Sequence, residues 1–216
     1  MSLFKTVRKL LILGFLAALV AAGVFAYQNK EIFNPAVDAY WAYNNEGVQH
    51  FANPGVNGKV IKVLDGNWFH LKIPEGFVYA VRVTGMEAPG IGITLDPENP
   101  PMGNLCRTNL TKLLLDQEVT VDVIEMNDSR YGQGFVYLNN TNVAQLVVQD
   151  GMGRLNRQEI LGLEFKEKYE LVRAERFAQE KGLGVYESGK KFDWATIDDP
   201  PKPESAPSTP EAPSEN

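Results

Sequence analysis

Side chains that carry covalent or metal chemistry are sparse in this sequence of 216 residues. One cysteine, Cys106, rules out an intramolecular disulfide framework and any zinc site built from several thiolates. Two histidines, His50 and His70, leave histidine-rich metal sites and nucleophile–histidine–acid arrangements short of parts. His70 lies between Phe69 and Leu71 in a strand-like run and reads as a surface or half-buried side chain rather than a ligand. Cys106 falls on the apolar side of a helix-like segment and reads as an inert core thiol. What remains is chemistry by carboxylates, arginines and amides, and the carboxylates dominate. Lys plus Arg total 21 against 27 Asp plus Glu, a net charge of −6 at pH 7. The middle of the chain shares this acidity with its C-terminal end, so no basic domain is masked. That argues against a protein whose main task is to grip a nucleic-acid backbone, which rests on excess positive charge. The N-x-S/T sequons at Asn109, Asn127 and Asn139 matter only where exported proteins are glycosylated.

The elements that must position these groups begin with an export-type segment. Lys5, Arg8 and Lys9 precede an uncharged apolar run from Leu10 to Tyr27. As a helix that run reaches about 27 Å, a little under a hydrocarbon core. A signal peptide cleaved near Ala26 and a retained signal anchor both fit. The anchor is the preferred reading, because the run is longer than most cleaved cores. Either way the basic flank stays cytoplasmic, and the chain from about Gln28 onward lies on the non-cytoplasmic side, periplasmic or extracellular. Residues 28–57 form a juxtamembrane connector carrying Phe33, Tyr40, Trp41, Tyr43 and Phe51. Residues 190–216 are rich in Pro, Ser and Glu without apolar periodicity. Such a segment buries too little surface to fold and is expected to be a disordered tail.

Residues 58–189 read as the folded domain. GKVIKVLDGNWFHLKI alternates, turns at Asp65-Gly66 and resumes, which predicts a hairpin. FVYAVRVTGM is a third strand, with Val78, Ala80 and Arg82 on one face. MGNLCRTNLTKLLLDQ places Cys106, Leu110, Leu113 and Leu114 at helical spacing. EVTVDVIEM and RYGQGFVYLNN form a further strand pair, NVAQLVVQDG a short helix stopped by Gly151. The charged segment LEFKEKYELVRAERFAQEKG is a long helix whose inward face is Leu171, Ala174, Phe177 and Ala178, stopped by Gly182. Five short strands with interspersed helices predict an α+β, mainly β fold: a small, partly open barrel with about three helices, preceded by the transmembrane or signal helix.

From Gly58 to Glu187 these pieces resemble the staphylococcal nuclease (thermonuclease-like) family, in family order: GKVIKVLDGN, VRVTGMEAP, DQEVTVDV, SRYGQGFVYL, NVAQLVVQDGMGRL and RAERFAQEKGLGVYES. The resemblance implies an OB-type five-stranded barrel and calcium-dependent phosphodiester hydrolysis. Such chemistry needs carboxylates around a hard cation, two arginines facing the charged phosphorus centre and a further carboxylate proposed to activate water. The family's first hairpin supplies a metal-binding Asp where this chain has Asn67, after Asp65-Gly66. Its first arginine is kept as Arg82. Its second metal-binding Asp is Glu87 here, one methylene longer. Its catalytic Glu is Gly90, which has no side chain. Its second arginine is Gln133, in Tyr131-Gly132-Gln133-Gly134. Losing one preorganised charged donor costs on the order of 100–1000-fold in rate, and losing the general base roughly 100–10,000-fold more.

The function expected on these grounds is a membrane-tethered, non-catalytic module acting in protein binding or assembly. The alternative is an exported thermonuclease-like phosphodiesterase with a rearranged metal site. Arg82 is expected to pair with Glu87 or Asp65 inside the pocket. No cofactor is expected; calcium, if it binds, would use Glu87, Asn67 and Asp65. The expected partners are the membrane, through residues 10–27, and a protein, at the apolar loop Gly90–Pro101. Nucleic acid is not expected to bind.

Overall fold

The computed structural model describes residues 2–45, 47, 55–91, 102–126 and 130–187. The chain divides into two compact units, residues 1–46 and 47–216.

The first unit is helical. Helix α1 spans Ser2–Gln28 and α2 spans Lys30–Asn44, separated by Asn29. Asn29 ends α1 by donating both its backbone N–H (3.0 Å) and its Nδ2 (2.8 Å) to the Phe25 carbonyl. Phe25 and Phe33 meet edge to face across this break, with centroids 6.2 Å apart. The stretch Val7–Gln28, 22 residues, is long and apolar enough to cross a membrane, and none of it is buried within the protein. At 1.5 Å per residue it reaches about 33 Å, so the helix exceeds the apolar run on which it is built. A helix apolar on every side needs either a core or lipid around it. The connector aromatics Phe33, Tyr40, Trp41 and Tyr43 belong to α2, whereas residues 48–54, with His50 and Phe51, lie outside the described residues.

The second unit is a barrel. Strands β1 (Val56–Asp65), β2 (Trp68–Lys72) and β3 (Val78–Val83) form an antiparallel meander. A two-residue strand β4 (Met86–Glu87) and helix α3 (Met102–Leu114) come next. Strand β5 (Glu118–Met126) then pairs with β1, and β6 (Tyr131–Leu138) with β5. The sheet order is β3-β2-β1-β5-β6, with a two-residue strand, Thr141–Asn142, beyond β6, and a parallel pairing of β3 with β6 closes the five longer strands into a mixed barrel. Closure removes the open edges that an unpaired β3 and β6 would present. Val60, Phe69, Leu71, Val81, Val83, Val121 and Val136 fill the interior.

Helices cover the barrel as the sequence pattern predicts, with one exception. In α3, Cys106, Leu110 and Leu114 are fully buried, and burial raises the Cys106 thiol to about 12, with nearby Asp65 adding to the shift. The Asn139-Asn140 pair takes positive φ values of 51° and 64°, the geometry of a tight hairpin, leading into β7 (Thr141–Asn142). Asn142 caps α4 (Val143–Gln149) by accepting the Ala144 N–H at 2.9 Å. After β8 (Arg154–Leu155) comes α5 (Phe165–Lys181), ended by Gly182 in the left-handed region. The exception is Phe177, expected to point inward but 44% exposed. The inner face instead carries Lys168, Leu171, Val172, Ala174, Glu175 and Ala178. Glu175 sets this phase, because its carboxylate receives the Leu155 N–H, Arg157 Nη2 and the Tyr186 hydroxyl. Phe177, roughly 200° further round the helix, therefore faces out.

Candidate functional site

Strand pairing assembles the site around Arg82. On β3, Arg82 lies in register with Trp68 of β2 and with Gln133 of β6, so these side chains share a neighbourhood although they are far apart in sequence. The Asn67 carbonyl accepts the Val83 N–H at 2.9 Å, which ties the first hairpin turn to the same end of β3. Backbone pairing thus places Arg82, Gln133 and Asn67 at one end of β3.

Arg82 nevertheless does not pair with Glu87 or Asp65, the partners expected from the sequence. Its Nη2 donates to Glu159 Oε1 at 2.6 Å and to Gln133 Oε1 at 2.7 Å. The other oxygen of Glu159 accepts the Gly85 N–H at 2.7 Å. The guanidinium and its carboxylate partner are only 13% and 23% exposed, so removing either one would leave the other partly buried without its counter-charge. Gln133 also lies 3.5 Å from Glu125 through its Nε2.

Glu87 is engaged elsewhere. Arg154 donates to Glu87 Oε2 through Nε (2.7 Å) and Nη2 (2.6 Å), and Asn156 Nδ2 donates to Oε1 at 3.0 Å. One device holds both charged family positions. Strands β4 and β8 pair antiparallel, with Met86 opposite Leu155 and Glu87 opposite Arg154. The next step, back along the first segment and forward along the second, joins Asn156 N–H to the Gly85 carbonyl at 3.0 Å. The Asn156 side chain then accepts the N–H groups of Gln158 and Glu159, a side-chain turn that returns Glu159 to Arg82. The segment 82–87 carries a cation at its start and an anion at its end; the segment 154–159 carries the same order. Antiparallel pairing matches each charge with its opposite.

The remaining predicted positions are structural in their contacts. Asp65 is buried, and its Oδ1 accepts the Gly66 N–H at 2.7 Å. Burial pushes its carboxyl above the usual range, opposed by the Gly66 amide and by Arg107. Gly66 packs so tightly that a Cβ there would stand 2.7 Å from Ala88 Cβ and 2.8 Å from Cys106 Cβ. Gly90 is buried, and its carbonyl lies where a Cβ on Gly103 would come within 2.0 Å. His70 is half-buried on β2, and burial, then Lys62, lowers its pKa. For calcium, which takes about six to eight oxygens, this set does not fit. Both Glu87 oxygens face nitrogen donors, and Asp65 closes its own turn. Among the described residues no three acidic, histidine or cysteine side chains form a metal-holding group. Of the Gly90–Pro101 loop only Gly90 and Ile91 are described; residues 92–101, the sequon at Asn127 and the tail 190–216 lie outside the described residues.

Sequence reasoning missed Glu159, Arg154 and Asn156. Their signal was present in Arg154-Leu-Asn-Arg-Gln-Glu159: a turn-forming Asn inside the same cation-to-anion order as Arg82 to Glu87. A closed mixed barrel with α3, α4 and α5 against it, and an arginine at the end of the third strand, defines an OB-type nuclease-like class of domain. The staphylococcal nuclease homologue family matches residues 80–188, about half of the sequence, and the chain belongs to that family. No curated protein matches the chain.

Proposed function

We propose that this protein is a membrane-tethered, non-catalytic member of the family, acting in protein binding or assembly on the non-cytoplasmic side. The observation that carries the reading is the engagement of Arg82 by Glu159 and Gln133. A guanidinium that already holds a carboxylate at 2.6 Å is not presented to a phosphodiester. Asn67, Gly90 and Gln133 support the reading further, since none can carry the charge that the family's chemistry asks of those positions. Glu87, held by Arg154 and Asn156, supports it on the metal side, and calcium has no place in the proposed role. The net charge of −6 repels an anionic polymer and favours a protein partner. The basic start ahead of the apolar helix supports the orientation.

The test is hydrolysis by the full chain purified in detergent, offered single- and double-stranded DNA and RNA with calcium, magnesium or manganese. The expected result is no cleavage above a mock purification with any metal. Metal-dependent cleavage by the unmodified chain, abolished by Arg82→Ala, would replace this reading with that of an exported thermonuclease-like phosphodiesterase.

A further inference from the structure

The contacts of Glu159 have the form of a ligand in a site. One oxygen accepts from a guanidinium and the other from a backbone N–H, the donor pair with which proteins commonly hold a bound oxyanion. Two buried polar side-chain atoms on the adjoining strand segments also lack a hydrogen-bond partner among the described residues. Trp68 stands in register with Arg82, and its buried indole N–H has no hydrogen-bond partner among the described residues. The same is true of the buried Thr84 hydroxyl, one residue before Gly85. Buried donors without partners are uncommon, and two of them flank the groups that Glu159 engages.

We infer that Arg82 and the Gly85 N–H form an anion-binding site whose resident ligand is the chain's own Glu159 carboxylate, which keeps external oxyanions of phosphate size out. The inference deepens the non-catalytic reading of the same site and rests on it. Glu159 is positioned for this by its own segment: Asn156 fixes the turn, and Arg154 anchors that turn to Glu87. The internal carboxylate has the advantage over a free anion, because its translational freedom is already lost on folding. Removing its carboxylate leaves the Gly85 N–H without its acceptor and the partly buried guanidinium with Gln133 but no counter-charge, and an external oxyanion then gains those contacts.

The experiment uses the full chain in detergent: unmodified, Glu159→Ala, Glu159→Gln, and the double variant Arg82→Gln/Glu159→Ala. Each is titrated with inorganic phosphate at constant ionic strength balanced with sodium chloride. The readouts are the thermal midpoint and the Gly85 amide resonance. In the unmodified chain neither should respond saturably. In Glu159→Ala both should, with phosphate at about a hundred times its Kd raising the midpoint by roughly 5–10 °C. Glu159→Gln keeps an acceptor oxygen without the charge, so it should bind phosphate more weakly than Glu159→Ala but still measurably. The double variant should lose the response. Should Glu159→Ala fail to fold, Glu159→Gln decides the question. Folded Glu159 variants that bind phosphate no better than the unmodified chain would overturn the internal-ligand assignment and leave the non-catalytic reading intact. Equal phosphate binding by the unmodified chain, with the Gly85 resonance shifting, would overturn it as well. Nucleic-acid hydrolysis by the unmodified chain would instead overturn the reading on which it rests.

Discussion

At the scale of single residues, burial decides what each polar group can do. Asp65 is one of three candidate metal ligands in the sequence, yet it is 3% exposed and spends an oxygen on the Gly66 N–H. Burial raises its pKa above 3.8 in the folded protein. The unfolded chain therefore releases this proton first. Folding loses stability as pH rises from below the unfolded value through the folded one, and at neutral pH the ionised carboxylate is a cost. Asp65→Asn keeps the acceptor for Gly66 and removes the charge. Its thermal midpoint should therefore exceed that of the unmodified chain at neutral pH, with the difference closing at about pH 3. A variant less stable at neutral pH would show that the attraction of Arg107 outweighs desolvation. Arg82 carries the complementary lesson: its identity was legible in VRVTGMEAP, but its partner was not. Glu87 is near in sequence and Glu159 is remote, and only the register of β4 against β8 selects between them.

At the scale of elements, backbone contacts that no side-chain pattern reveals hold the site's segment in place. Gly151, which ends α4, and Gly184, beyond α5, meet backbone to backbone. The Val185 N–H donates to the Gly151 carbonyl at 2.8 Å, and a Cβ on Gly184 would stand 2.0 Å from that oxygen. This contact holds the C-terminal segment against the turn leading into β8 and the Arg154–Glu159 segment. Gly184 has φ +50°, and Gly76 has φ +89° with nothing within 4 Å of its Cβ position. The two therefore separate conformational strain from docking. Gly76→Ala should lose only the left-handed penalty, about 1–2 kcal/mol. Gly184→Ala should lose that and the docking contact, on the order of 3 kcal/mol in all. Denaturant midpoints measure both, and equal losses would show that the docking contributes nothing. The elements themselves were largely readable. Alternation gave the strands, helical spacing gave Cys106, Leu110 and Leu114, and glycines marked the ends of α4 and α5. Phe177 was misplaced because apolar character favours the inside on average, whereas Glu175 and its donors fixed the rotation of α5.

At the scale of the molecule, an apolar helix with no internal burial precedes an acidic barrel. The basic residues Lys5, Arg8 and Lys9 ahead of that helix predict that the barrel is exported and held at the membrane. Protease added to intact cells or spheroplasts should digest the barrel, and a mature mass that includes residues 1–27 should accompany this. Full protection until the membrane is broken would reverse the orientation, and a mass starting near residue 27 would replace the anchor with a cleaved signal. The sequence by itself determined the apolar start, the five barrel strands, the helices α3, α4 and α5 and the chemical identity of each family position, because these depend on local residue order and periodicity. Helix α2 and the short paired strands β4 and β8 were not legible in it. The tertiary structure alone decided which charge meets which. Ion pairing depends on distances of a few ångströms between segments remote in sequence, and those distances exist only once the barrel closes and β8 docks on β4. The Glu159 carboxylate reaches Arg82 for that reason, and no reading of either segment alone could have placed it there.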